Sequence, residues 1–224
     1  GCIGNVFTAT GTLNAIVFNT GTTFVQNTGA NPFGLALPDS KVIFNTGSLF
    51  KMQHNSALAL VGRTYANLEI DAALFNQSPI GSTNPFTVDN LTVTLGTFNL
   101  NLTGGINIKG NISVAAGQTL TFNPASANTV TFNGTTAQSI SNAGTLTFGS
   151  NEAVTLNNAA GLTINNDITL NNTLTFTNGK FKTGNNTLTI TNTTAGALVG
   201  FDANKYVATN STAGGLKRTI ASSI

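Results

Sequence analysis

The sequence is short of charge. Lys, Arg, Asp and Glu make up 7% of its 224 residues, against roughly 25% in an average globular domain. The nine basic residues are scattered, and only Lys217 and Arg218 are adjacent. No basic stripe exists to follow a phosphate backbone, so nucleic acid is not an expected partner. Cysteine is almost missing: a single Cys2 rules out an internal disulfide. Gly1-Cys2 has the small residue that precedes a lipidated cysteine but not the apolar segment before it, so a chance cysteine is the simpler reading. No apolar run approaches the roughly 18 residues of a membrane helix, and membrane insertion is not expected. Helix formers are scarce, with one Met, two Glu and five Gln, which excludes long helices.

What fills the chain is Thr (38), Asn (32) and Gly (24), about 42% of all residues. They are arranged with period two. Short units such as LTVTL (91–95), FNLNL (98–102), TLTF (119–122), TVTF (129–132), TLTF (145–148), TLTF (173–176 with Thr173 first) and TLTI (187–190) alternate apolar and polar residues between Gly and Asn turns. That pattern is a strand signature. Strand starts fall six to ten residues apart, too close for crossover helices. An antiparallel sandwich and a parallel solenoid remain. The recurrence of the same residue types at the same offsets favours the solenoid, because one coil cannot bury its apolar face alone. The expected fold is all-β, a right-handed parallel β-helix (β-solenoid) of about 20–24 residues per coil and nine or ten coils, forming one domain over 1–224.

Stacking at about 4.8 Å places like side chains on like. Phe122, Phe132, Phe148 and Phe176 are expected in an interior aromatic stack, with Leu120, Val130, Leu146 and Leu174 in the same core. The intervening Thr face outward, where β-branching suits the pleat. Asn pairs sit between strand units at Asn157-Asn158, Asn165-Asn166, Asn171-Asn172 and Asn185-Asn186. Asn tolerates left-handed backbone, and its amide can bond an identical neighbour one coil away, so these are expected corner ladders. Residues 29–40 and 72–87 hold Pro32, Pro38, Pro79 and Pro85 and read as loops projecting from the coils.

Catalytic chemistry is hard to place. Seven carboxylates exist, of which only Glu69 and Asp71 are close, two apart on one strand face, with Arg63 upstream. A carbohydrate-active β-helix would need these three in one cleft; surface charges are the plainer reading. His54 stands alone, so neither a metal site nor an activated Ser or Cys nucleophile is expected. No phosphate- or dinucleotide-binding fingerprint follows a strand, and no cofactor is expected. The nine Asn-x-Ser/Thr sequons are close to what chance gives at this Asn content. The pairs Thr92/Thr94, Thr119/Thr121, Thr129/Thr131, Thr145/Thr147, Thr173/Thr175 and Thr187/Thr189 are similar to the Thr ranks of ice-binding β-solenoids, although they fall on different strands.

The segments NPFGLALPDS, FNTGSLFKMQ, GRTYANLEID, LTVTLGTFNLNLTGGINIKGNISV, NGTTAQSISNAGTLTFGS and LTFTNGKFKTGNNTLTITNTTAGALVGFDANKYV resemble β-strand-repeat surface proteins of gliding-type bacteria. These are large secreted proteins, often exported by the type IX system and adhesin-like in many cases. The resemblance covers nearly the whole chain and rests on repeats, not on a catalytic motif. It implies an extracellular, cell-surface location and a non-enzymatic structural or adhesive role, with the chain a segment of a longer protein. Surface glycans are a further expected partner, and a carbohydrate-active or carbohydrate-binding β-helix is the alternative reading. Solenoid ends expose unpaired backbone, so flanking domains or further copies stacked end to end, even into filaments, are the other expected partners.

Overall fold

The structure, a computed structural model, describes residues 7, 13–29, 31–33, 42–81, 83–209 and 213–221. Cys2, Pro38 and Asp39 lie outside them. The chain is a parallel β-solenoid of about eight turns. Three ladders of parallel strands run along it. On the first, Ile16–Phe18 pair with Val42–Phe44. Further along it, residues 64–65, 86–88, Ile106–Ile108, Asn128–Phe132, Glu152–Asn157, Leu174–Asn178 and Leu198–Val199 follow one another. The second ladder begins with Thr23–Gln26 and Leu49–Met52, passes through residues 67–70 and 91–93, and reaches Val207–Thr209. The third joins residues 97–100 to Thr119–Phe122, Thr145–Phe148, Ile168–Leu170, Thr187–Ile190 and Gly215–Arg218. The single strand Phe86–Leu102 contributes to all three ladders, so it makes one whole circuit.

Coils are less uniform than the repeats suggest. Leu49 lies beside Asn67, 18 positions on, and Thr187 beside Gly215, 28 positions on. Only strand positions must match in register; corners are free to lengthen, and the longer ones reduce the expected nine or ten coils to about eight.

Period two governs burial. Leu120, Phe122, Val130, Phe132, Phe148, Leu174 and Phe176 are all buried, and the Thr between them face outward, half-exposed. The eight residues do not form one row. Leu120 and Phe122 pair with Leu146 and Phe148 on the third ladder, where the Phe122 and Phe148 rings stack at 5.1 Å and 13°. Val130 and Phe132 belong to the first ladder, two coils from Leu174 and Phe176, with Val154 and Leu156 between. Leu146 is only half-buried. Identical TLTF-type words occupy different sides of the coil, because coil length and word spacing are not commensurate.

The proline-containing stretches differ in part from expectation. The described part of 29–40 turns inward: Pro32 is buried, and Phe33 lies wholly inside, against Phe24 (5.2 Å), Phe44 (5.3 Å) and Phe50 (5.2 Å). Phe7 packs on Phe24 and Phe33, and its amide donates to the Pro32 carbonyl, closing this end of the core. An aromatic cluster gains more from burial than a projecting loop would from solvation. Within 72–87, the strands Thr64–Gln77, Ile80–Gly81 and Phe86–Leu102 cover 72–77, 80–81 and 86–87, while Pro79 and Pro85 lie between strands as expected, Pro85 in an exposed stretch with residues 83 and 84. Upstream of the prolines the chain forms a bulge instead of a projecting loop. Asp71 pairs with Leu95 and Asn76 with Thr97, so residues 72–75 arch over Gly96 alone. A Cβ on Gly96 would sit 2.6 Å from the Ala72 carbonyl oxygen, and its φ of +105° suits glycine. The arch buries Phe75 and leaves Leu74 84% exposed.

Candidate functional site

Three sets of side chains stand out: the outward ladders, a small charged cluster, and polar groups sealed inside.

The outward ladders follow from parity. On the third ladder Thr119 pairs with Thr97 and Thr145, Thr121 with Asn99 and Thr147, and Thr169 with Thr189. Thr187 follows on the same face and meets Gly215. Of the six Thr pairs read from the sequence, Thr119/Thr121, Thr145/Thr147 and Thr187/Thr189 therefore share one face. Thr129/Thr131 and Thr173/Thr175 run along the first ladder, and Thr92/Thr94 lie near the second.

Asn side chains tie coil to coil, though in mixed company. Asn45 donates to Asn19 Oδ1 (3.0 Å), Asn90 to Asn67 Oδ1 (2.7 Å) and Asn133 to Asn107 Oδ1 (3.1 Å). The four Asn pairs behave differently. Asn171 and Asn172 donate to the carbonyls of Phe148 and Ser150, and Asn186 to that of Ile164. Asn165 donates to Ser141 Oγ, and Asn166 accepts from the Asn142 amide. Asn158 is sealed inside, donating to the Thr136 carbonyl and to Gln138 Oε1. Asn157 and Asn185 are exposed. Because corners differ in length, an Asn meets the backbone or a different side chain of the coil below more often than another Asn.

Glu69 and Asp71 share an outward face, but Arg63 does not join them. Lys51, one coil below, reaches Glu69 at 3.2 Å and Asp71 at 2.8 Å. Gln53 also donates to Asp71, and Thr94 to Glu69. The hydrogen bond from Lys51 holds the Asp71 carboxyl below its usual range. Arg63 instead lies inside, 2% exposed, with its guanidinium carbon 5.6 Å from the Phe33 ring centre, and burial lowers its proton affinity. His54 is exposed near Asp71 and Leu74. Among the described residues, no group of three His, Cys, Asp or Glu could hold a metal ion.

The interior polar groups escaped sequence reasoning. Glu152 is completely buried. Asn128, its partner in register, donates to Glu152 Oε2 (3.3 Å) and to the Leu102 carbonyl, and accepts from the Gly105 amide. Burial pushes the Glu152 carboxyl up to about 8, with Asn128 and the Val130 backbone acting in the opposite direction. At the other end of the first-ladder strands, buried Gln138 donates to the Ile108 and Gly110 carbonyls and accepts from the Gly134 amide. A signal was present. Asn128 has the parity of Val130 and Phe132, Glu152 that of Val154 and Leu156, and Arg63 that of Tyr65; each is an inward position.

Between the first and second ladders the corners vary in length. They hold residues 45–48, then residue 66 alone, then 89–90 and 109–111, then 133–137. The short corners recede and the long ones stand up at either side. The result is a groove of about 650 Å³ lined by the half-buried Asn67, Asp89 and Asn90, by Lys109, and by the exposed Thr46 and Thr135. Glycine lets the coils meet there: a Cβ at Gly110 would strike the Asn90 side chain, and one at Gly134 the Lys109 carbonyl. In comparison with known proteins, no family, curated protein or solved structure matches this chain.

Proposed function

We propose that this chain is a non-enzymatic structural and adhesive β-solenoid, a segment of a bacterial cell-surface protein of the β-strand-repeat kind that its sequence resembles. One observation carries the reading. Three in-register ladders turn a low-charge sequence into a stiff frame whose outward columns are hydroxyls and amides, tied coil to coil by side-chain bonds such as Asn90 to Asn67. Such a frame holds many weak polar contacts in fixed geometry, so binding a surface loses little conformational entropy. The exposed Leu216 (39%) on the Gly215–Arg218 rung supports flanking chain or a further copy as a partner there. The test is to coat beads with the protein, measure their retention on bacterial, mineral and polysaccharide surfaces, and image the purified protein by electron microscopy. Retention above albumin-coated beads on at least one surface is expected, with short rods or end-to-end filaments in the images. Retention equal to albumin on every surface rejects adhesion.

A second reading is ice binding, favoured by the third ladder alone, where Thr119/Thr121, Thr145/Thr147 and Thr187/Thr189 share a face. It requires thermal hysteresis that Thr147→Tyr abolishes.

A further inference from the structure

We propose that the corner groove between the first and second ladders is a binding site for a neutral, hydroxyl-rich glycan chain. The inference rests on the adhesive reading and assigns that role to one place. The groove crosses the coils from Thr46 to Thr135, about four steps or roughly 20 Å, and so matches an extended chain molecule rather than a compact metabolite. Its polar groups are held in place before any ligand arrives. Asn90 donates to Asn67 Oδ1 at 2.7 Å and accepts from the Asn111 amide at 2.8 Å, which fixes the orientation of its amide. Asp89 is partly desolvated, which raises its carboxyl, while the Lys109 charge and a hydrogen bond from Thr46 work against that rise.

These features select the ligand class. One carboxylate and one ammonium offset each other, so the groove has no net field to draw in a polyanion. Its lining holds no aromatic or large aliphatic side chain, so an apolar peptide gains little from it. The lining holds both donors and acceptors: the Lys109 ammonium, the Asp89 carboxylate and the fixed amides. Sugar hydroxyls, each both donor and acceptor, satisfy such a row.

The experiment uses the whole chain on immobilised maltohexaose, cellohexaose and chitohexaose, with polygalacturonate and heparin as anionic arms. Four proteins are compared: the unaltered chain, Asp89→Ala, Thr135→Trp at the exposed wall, and Leu74→Trp on the exposed arch of residues 72–75 as control. The expected result is binding to at least one neutral hexasaccharide, weakened tenfold or more by Asp89→Ala and by Thr135→Trp and unchanged by Leu74→Trp, with similar melting temperatures. Should Asp89→Ala fail to fold, Thr135→Trp carries the test. Binding only to the anionic polymers, no binding to any neutral hexasaccharide, or equal binding by all four proteins overturns the proposal. Bead retention separates this from the adhesive reading. Beads coated with Thr135→Trp that are retained like the unaltered chain sink the groove and leave adhesion standing; unaltered beads retained nowhere sink adhesion itself.

Discussion

Asn128 donates to Glu152 across one coil, inside the wall of the solenoid, at 3.3 Å. One amide does not compensate an ionised carboxylate for complete loss of water. The carboxyl is therefore held neutral to about pH 8, whereas in the unfolded chain it ionises near its ordinary 4.5. The folded value is the higher one. Its contribution to stability is complete below pH 4.5, is lost as pH rises towards 8, and changes no further above that. The melting temperature is expected to fall between pH 5 and pH 9, and Glu152→Gln should flatten that slope and raise stability at pH 9 by roughly 1–3 kcal/mol. Thermal melts of both proteins across the range check this; an unchanged slope in the variant would assign the pH dependence elsewhere.

Asp71 has the opposite sign. Its carboxyl is held low, chiefly by Lys51, so the stability it lends is present above its unfolded value and is lost as pH falls through the folded one. The cluster lies at the surface, with side chains 16–25% exposed. Lys51→Met should cost at most about 1 kcal/mol, and less in high salt. Urea unfolding at low and high ionic strength measures both.

Phe148 stacks on Phe122 and is wholly buried, while Leu146 two residues away on the same strand is only half-buried. Phe148→Ala is expected to destabilise by about 3–5 kcal/mol and Leu146→Ala by clearly less, because the cost follows the cavity left behind. Denaturant unfolding distinguishes them. Equal losses would show that the two positions relax alike.

Gly179 has φ +80°, and a Cβ there would collide with the Asn158 carbonyl oxygen of the coil below. Gly179→Ala should cost more than the roughly 1–2 kcal/mol of left-handed backbone alone. Gly105 (φ +85°), with nothing near its Cβ position, supplies the comparison: Gly105→Ala bears only the backbone part. Similar losses in the two variants would remove the close approach as a cause.

Much of this molecule is written in residue parity. Alternation from Thr119 to Phe122 or Thr187 to Ile190 dictates which side chains face inward, and repetition of such words dictates that coils stack in parallel. Both follow from strand geometry, which is local, and parity alone even marks Asn128, Glu152 and Arg63 as inward. What parity does not contain is which word lies on which. That depends on corner lengths, and corners are free to vary because only strands must stay in register. The TLTF-type words of Phe122 and Phe176 therefore sit on different ladders, residues 72–75 fold into a bulge, and Phe33 turns inward to meet Arg63. The groove of Asp89 and Lys109 is likewise a product of unequal corners, visible only once neighbouring coils are laid against each other.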